Sequence, residues 1–537
     1  MKKSIIILFV SFALNFSLIA QLTVGTTLTT NNVSNGYTLF SPNFSFNTYL
    51  IDNCGRVVNE WSANFRPGLS VYLLEDGTLM RTGRGGNGFF TAGGVGGVIE
   101  HYDWDNNLLW TYEHSSSTFV QHHDIEVLPN GNVLLISFEK KNAFESIDAG
   151  RNPSLLNDNE LWPEMVLEIQ PLGIDSGVIV WEWHMWDHLI QDYDNTKSNY
   201  GVVKDHPELF DINYTPNGND DWAHVNSIDY NPERDEIILS SRSFNEFWII
   251  DHSTSSIESA SHSGGNRGKG GDILYRWGNN NTFKGNVSDA LLDGQHDVEW
   301  IPQGLKDAGS IMVFDNGNLR GYSSIKIINP LIDLSNNYIL QSDTTYGPNV
   351  ADWEYIAPNP TDFYSGTLSG ANRLQNGNIM VCEGTSGKFT EIDTLKNIVW
   401  QYINPMTNSG ITSQGDPILG VNTVFRSIKY DASYSGFDGK DLTPGLPIES
   451  NPDLSSCLST NIQAENVDPF NLIYPNPFIG KVILDERIIG KEIIIYDVYG
   501  RIIYSSLITN KQIDLSYFDK GVYWIKVENN IQKVLKK

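Results

Sequence analysis

Cysteine is scarce in this chain: its 537 residues include only Cys54, Cys382 and Cys457. Three thiols make no disulfide framework, and an odd number leaves at least one without a partner in the chain. Cationic side chains are also few, with 36 Lys and Arg against 64 Asp and Glu and a formal net charge of -28. Such a field repels nucleic acid and anionic membrane surfaces, so any site for an anion must be locally basic. After Ala20 no stretch is long and apolar enough to span a bilayer. Helical periodicity is scarce, and neither a Gly-x-x-x-x-Gly-Lys phosphate loop nor a Gly-x-Ser-x-Gly elbow occurs. What is left is a mainly β protein with no nucleic-acid or membrane-spanning role.

What is present begins with an export signal. Met1–Ala20 carries two lysines, an apolar run from Ile5 to Val10 continuing through Phe12 and Leu14, and a small-residue end. That is the order of a secretory leader, and it is too short and too interrupted for a membrane anchor.

From about Tyr37 one theme recurs. Turn dipeptides at Asp76-Gly77, Asn130-Gly131, Asn316-Gly317 and Asn376-Gly377 each precede an apolar strand. Short apolar closures end in tryptophan or surround it, at Trp61, Trp110, Trp181, Trp277, Trp353 and Trp400. Unequal β repeats of this size predict an all-β, six-bladed propeller over residues 21–445. Its last inner strand comes from Asn422–Tyr430, and Tyr37–Ile51 completes the same blade. Residues 446–471, rich in Pro, Ser and Asn, read as a linker. Residues 472–537 read as a small C-terminal β-sandwich.

In a propeller the start of each inner strand faces one mouth of the central channel, so distant residues can meet there. Three strand starts carry histidine: Gln121-His122-His123-Asp124-Ile125-Glu126, His224-Val225-Asn226-Ser227-Ile228-Asp229 and Gln295-His296-Asp297-Val298-Glu299. His123 and His296 each lie six positions before a proline, at Pro129 and Pro302, and the same count from Pro232 selects Asn226. Because strand side chains alternate, His224 shares a face with Asn226 and sits one step nearer the mouth. His122 points away, Asp124 and Asp297 orient neighbouring strands, and Ser369 takes the histidine place in a further unit. Arg242, at the end of Ile237–Ser241, supplies a cation near the cluster. Arg373 is a weaker candidate for the channel, and the Trp181–His188 stretch reads chiefly as packing at a blade edge. His206 and His252 read as solvent-facing.

A neutral imidazole can hold a transferred group covalently, a guanidinium presents a fork to anionic oxygens, and a second imidazole can move a proton. The set His123, His224, Asn226, Arg242 and His296 therefore suits sulfuryl or phosphoryl transfer between small molecules better than acyl transfer. A metal-dependent ester hydrolase using the same histidines, and a noncatalytic surface propeller that binds ligands, are the competing readings. No cofactor is called for, and no residue is assigned to a metal.

With those residues in hand, the chain resembles the arylsulfate sulfotransferases. The matching pieces are His122-His123-Asp124-Ile125-Glu126-Val127-Leu128-Pro129-Asn130-Gly131-Asn132, His224 to Asp229, Ser241-Arg242-Ser243-Phe244-Asn245-Glu246-Phe247-Trp248-Ile249-Ile250-Asp251 and Gln295 to Trp300. The resemblance implies sulfuryl transfer from a phenolic sulfate ester to a phenolic acceptor, without the nucleotide donor PAPS and by a ping-pong route through a sulfohistidine. It makes His296 the nucleophile, gives sulfuryl oxygens to His224, Asn226 and Arg242, and places His123 as acid/base or oxygen ligand. The tail, with Tyr474-Pro475-Asn476-Pro477-Phe478, Tyr496-Asp497-Val498-Tyr499-Gly500-Arg501 and Gly521-Val522-Tyr523, resembles the C-terminal sorting domain of type IX secretion substrates. That resemblance implies the type IX machinery as a partner, export across the inner and outer membranes, and a secreted or cell-surface protein.

Overall fold

The computed structural model describes residues 23–216, 220–285, 290–341, 345–455, 457, 473–484, 486–497, 501–527 and 530–537. The expected leader, Met1–Ala20, lies outside the described residues. The chain divides into two compact units, residues 1–460 and 461–537.

The first unit is built from antiparallel sheets of four strands laid down largely in chain order. The first sheet joins the two ends of the unit: Val424–Asp431 pairs with Gly36–Pro42, followed by Asn47–Ile51 and Val57–Ser62. The second comprises Pro67–Leu73, Leu79–Arg84, Gly97–Tyr102 and Leu108–Glu113, and the third Phe119–Val127, Val133–Glu139, Glu164–Leu172 and Ser176–His184. The fourth runs Val225–Asn231, Glu236–Ser241, Glu246–Asp251 and Tyr275–Trp277, and the fifth His296–Trp300, Ile311–Asp315, Ser324–Ile328 and Trp353–Tyr355. The sixth comprises Gly370–Arg373, Ile379–Glu383, Lys388–Ile392 and Ile398–Ile403, and Gly25–Thr29 adds to it as a fifth strand. The first strands of these sheets neighbour one another in a closed cycle.

Two sets of polar contacts carry this arrangement. At the inner strands, Asp124, Ser227 and Asp297 accept the backbone N–H groups of Ile228, Val298 and Ala371, each on the next sheet in the cycle. At the outer strands, the tryptophans of the repeated closures reach forward. The indoles of Trp61, Trp110, Trp181, Trp277 and Trp400 donate to Asp103 O, Ser176 O, Thr254 Oγ1, Pro348 O and Asn53 O, again on the next sheet. Trp353 differs: the Lys396 ammonium sits 5.0 Å from its ring. Each of the other five indoles thus buries its bulk between sheets while its one donor is satisfied.

Three of the four turn dipeptides join the first and second strands of a sheet. Asn316-Gly317 instead follows the second strand of the fifth sheet, and that displacement puts Asn316 to another use described below. Cys54 and Cys457 form a disulfide whose Cα atoms lie 5.6 Å apart, leaving Cys382 as a buried thiol that burial keeps protonated. The bond ties the chain beyond the last inner strand back to the first sheet, and Pro447 and Ser450 also bridge to Arg56 and Ser413 of that unit.

The second unit has a three-stranded sheet (Ile473–Tyr474, Lys481–Leu484, Gln512–Asp514) and a four-stranded one (Ile502–Leu507, Glu492–Tyr496, Gly521–Val527, Asn530–Lys536). Phe478, Val482, Leu484, Ile493, Ile495, Ile525 and Val527 form its buried core.

Candidate functional site

His123, His224 and His296 come together as the cycle of inner strands closes. His123 and His224 both have left-handed backbone (φ +51° each), at the irregular strand starts. Their imidazoles meet edge to face with centroids 4.7 Å apart. A Cβ on Gly94 would lie 2.1 Å from the His123 ring, so only glycine lets that loop close over the imidazole. Asp297 likewise approaches Gly370 so closely that a Cβ there would fall 2.1 Å from its carboxylate.

His296 is held at both ring nitrogens. Its Nδ1 lies 2.8 Å from Asn316 Oδ1 and 3.1 Å from Gly294 O, and both are acceptors, so Nδ1 carries the proton. Nε2 is then the bare nitrogen, and it accepts the Leu368 N–H at 3.2 Å. Burial pushes the His296 pKa down to about 3; the Asn316 hydrogen bond opposes that, and the nearby Arg242, His224 and Arg426 add to it. At neutral pH His296 is an uncharged imidazole with its lone pair directed at one backbone donor.

His224 is oriented by a residue that sequence reasoning missed. Its Nδ1 bonds the Asp221 carboxylate three positions earlier, leaving Nε2 free of that partner. The backbone N–H of Arg242 donates to His224 O at 3.1 Å, so hairpin pairing sets the two residues side by side. Among the described residues no carboxylate or hydrogen-bond acceptor holds the Arg242 side chain. Both residues line a cavity of about 840 Å³ whose wall includes Gly93, Trp162, Asp220 and Asp221. Burial, with Asp158 and Glu160 adding to it, raises the Asp220 carboxyl to about 6.

His123 is almost enclosed. Its Nδ1 is 2.9 Å from Nδ1 of His122, whose Nε2 is 2.9 Å from Glu164 Oε2. The proton position on His122 therefore decides which nitrogen of His123 is bare. Burial first, then His224, His122, His296 and Arg426, holds the His123 pKa well below the usual histidine range. Asn226 is fully buried, and its amide nitrogen donates to Gln295 O at 2.8 Å.

Beneath the histidines lies a second missed residue, Arg426. Its guanidinium pairs with Asp124 at 2.8 Å and Asp297 at 2.7 Å, and donates to Tyr72 Oη at 3.0 Å and Asn226 O at 3.2 Å. One side chain from the first sheet thus binds inner strands of the second, third, fourth and fifth. Asp124 and Asp297 do orient neighbouring strands, and they also hold this cation. The cue was available: each aspartate directly follows a site histidine, and Arg426 lies in the expected last inner strand.

Arg373, the weaker candidate, pairs with Asp307 at 2.6 Å. One expectation is corrected. His252 is not solvent-facing; it lies between Asp235 and Glu168, and although burial opposes its charge, those two hydrogen bonds carry its pKa up to about 9. His206 is exposed as expected.

A family model for arylsulfotransferases matches residues 24–416, most of the chain. The chain belongs to the arylsulfotransferase family. A second family model, for a secretion system C-terminal sorting domain, matches residues 472–537, so this arylsulfotransferase-family chain ends in a type IX sorting tail that supports secretion or surface export. No curated protein matches the chain. Among solved structures, a protein of unknown function from Bacteroides caccae is 11% identical, covers 74% of this chain and 99% of its own, and gives a TM-score of 0.39. A streptogramin B lyase is 13% identical with coverages of 78% and 96% and a TM-score of 0.34. A catalytically inactive virginiamycin B lyase from Staphylococcus aureus bound to quinupristin is 10% identical, with coverages of 71% and 88% and a TM-score of 0.32. Among the described residues of the family member, no helix is long and apolar enough to cross a membrane.

Proposed function

We propose that the protein is an exported sulfotransferase that moves a sulfuryl group from a phenolic sulfate ester to a phenolic acceptor through a sulfated His296, without PAPS. The six sheets would be the blades of a six-bladed propeller, with the tail a small sorting sandwich. The observation that carries the reading is the state of His296: neutral, with Nδ1–H anchored on Asn316 and Nε2 bare.

In the first half-reaction Nε2 of His296 attacks sulfur in line with the aryl oxygen. The S–O bond breaks as the N–S bond forms, and phenoxide leaves. Leu368 N–H, which caps Nε2 in the free protein, is released to donate to a sulfuryl oxygen. The guanidinium of Arg242 offsets charge on the other oxygens. Nδ1–H stays on Asn316 throughout, so the positive charge gathering on the ring is stabilised where it forms. His224, oriented by Asp221, gives a proton to the departing phenoxide and then takes one from the acceptor hydroxyl. The acceptor oxygen attacks sulfur, the N–S bond breaks, and His296 is regenerated. His123 packs against His224 and supports its place. Arg242 in the same cavity favours an anionic group there over a metal cation.

The test is mass spectrometry of the mature protein after brief exposure to 4-nitrophenyl sulfate. A sulfate-sized adduct on His296, discharged by added phenol and missing in His296→Ala, is the expected result. Folded protein that gives neither adduct nor nitrophenol overturns the proposal for that donor, and release abolished by a chelator without any adduct would favour a metal hydrolase.

A further inference from the structure

Away from the histidine cluster, His188, His262 and Asp272 converge at the outer side of the third and fourth sheets. His188 ends a short 3-10 helix, Met185–His188, after the last strand of the third sheet. His262 and Asp272 belong to the long connection between Glu246–Asp251 and Tyr275–Trp277. One donor atom from each residue lies within 4.8 Å of the others.

Their hydrogen-bond geometry calls for a proton or a metal ion between His188 and Asp272. His188 is fully buried, with Nε2 2.8 Å from Ser259 O and Nδ1 2.8 Å from Asp272 Oδ1. A carbonyl oxygen only accepts, so Nε2 holds the proton of a neutral ring, and the bare Nδ1 then faces a carboxylate oxygen. Lone pair against lone pair at that distance is repulsive unless a positive charge sits between them. His262 Nδ1 meets the same Asp272 Oδ1 at 2.7 Å, so two imidazoles crowd one carboxylate oxygen.

We infer that His188, Asp272 and His262 form a binding site for a divalent transition ion of the zinc class. Two imidazole nitrogens and one carboxylate oxygen match the borderline donor set that zinc takes, and three protein ligands leave a fourth position open. The His188 Nε2–H bond to Ser259 O is the outer contact that orients a metal-binding imidazole and keeps its ligand nitrogen bare. Ligand bonds of about 2.0–2.2 Å place tetrahedral donors about 3.3–3.6 Å apart. Both contacts to Asp272 Oδ1 would open by about half an ångström or more: that of His262 by movement of its side chain, which is 62% exposed on a loop containing Gly264 and Gly265, and that of His188 by rotation of the Asp272 carboxylate. His188 and Asp272 are the buried part of the site. Of the three residues His262 also lines a cavity of about 820 Å³, with Trp186, Asp187, Tyr200 and His206, from which water or a small anionic ligand would complete the shell. The alternative cation is a second proton on His188, whose ring stacks on Trp183 with centroids 5.8 Å apart.

The experiment uses tag-free mature protein stripped of metal, titrated with Zn2+ in a calorimeter and with Co2+ in a visible spectrometer. A single saturable equivalent, intense tetrahedral Co2+ bands, and at least tenfold weaker binding in His262→Ala and Asp272→Asn are expected. His224→Ala is the control and should bind the ion as the parent does. Circular dichroism of each variant separates lost binding from lost folding, and His262→Ala changes an exposed side chain. No saturable binding by folded parent protein overturns the site and leaves the proton as the cation. Binding that survives His262→Ala but is lost in His224→Ala also overturns it, placing the ion among the sulfuryl-transfer histidines.

Discussion

Asn316 Oδ1 lies 2.8 Å from Nδ1 of His296, across neighbouring strands of the fifth sheet. The same amide donates through Nδ2 to Ser365 O at 2.6 Å and Leu368 O at 3.1 Å. One side chain therefore sets the tautomer of His296 and fixes the segment whose N–H caps its other nitrogen. Asn316→Ala should lower kcat by about 10²-fold through misplacement of the imidazole. Asn316→Asp should also move the acidic limb of the kcat–pH profile upward, because a carboxylate at Nδ1 favours the imidazolium. Steady-state kinetics from pH 4 to 9 check both; an unmoved limb in the aspartate variant would separate Asn316 from His296.

The Asp221–His224 pair should reveal itself through the leaving group. Asp221→Asn is expected to cut transfer from phenyl sulfate by about 10²–10⁴-fold, the usual worth of a positioned acid/base. Transfer from 4-nitrophenyl sulfate, whose phenoxide needs little protonation, should fall much less. Equal losses with the two donors would remove His224 from the proton-transfer role.

Arg426 is predicted to matter for stability before chemistry. Removing its charge leaves Asp124 and Asp297 buried and uncompensated, a change that costs about 3–5 kcal/mol when one partner of a buried pair is deleted. Arg426→Met should lower the urea midpoint accordingly, and a change under about 1 kcal/mol would show the cluster to be well hydrated.

His114 gives a pH test outside the histidine cluster. Burial lowers its pKa to about 4, below the ordinary unfolded value of about 6.5. The unfolded chain thus binds this proton first, and stability attached to His114 is present above pH 6.5 and drains away as pH falls toward 4. The loss approaches about 1.4 kcal/mol per pH unit within that window. Urea melts at pH 7.5, 6 and 5 should show a shallower decline for His114→Gln than for the parent; identical slopes would show that His114 is protonated equally in both states.

Much of this was legible in the residues. Alternation, the Asn-Gly and Asp-Gly turns and the recurring tryptophans are local signals, and each closing tryptophan lies on or beside the fourth strand of a sheet. Spacing from a following proline pointed to the strand starts that carry His123, His224, Asn226 and His296. Register shifts at Asn226 and Asp297 and the left-handed backbone of His123 and His224 break the alternation there, so their mutual placement was not legible. The tail motifs were legible because they too are local. Tertiary structure alone decided the partners. Asp221, Asn316, Leu368 N–H and Arg426 act on histidines through space, Cys54 reaches Cys457 across 403 positions, and His188 meets Asp272 only when a long connection folds back. A chain's own periodicity records which face a residue occupies; which group it meets there depends on how the sheets close around it.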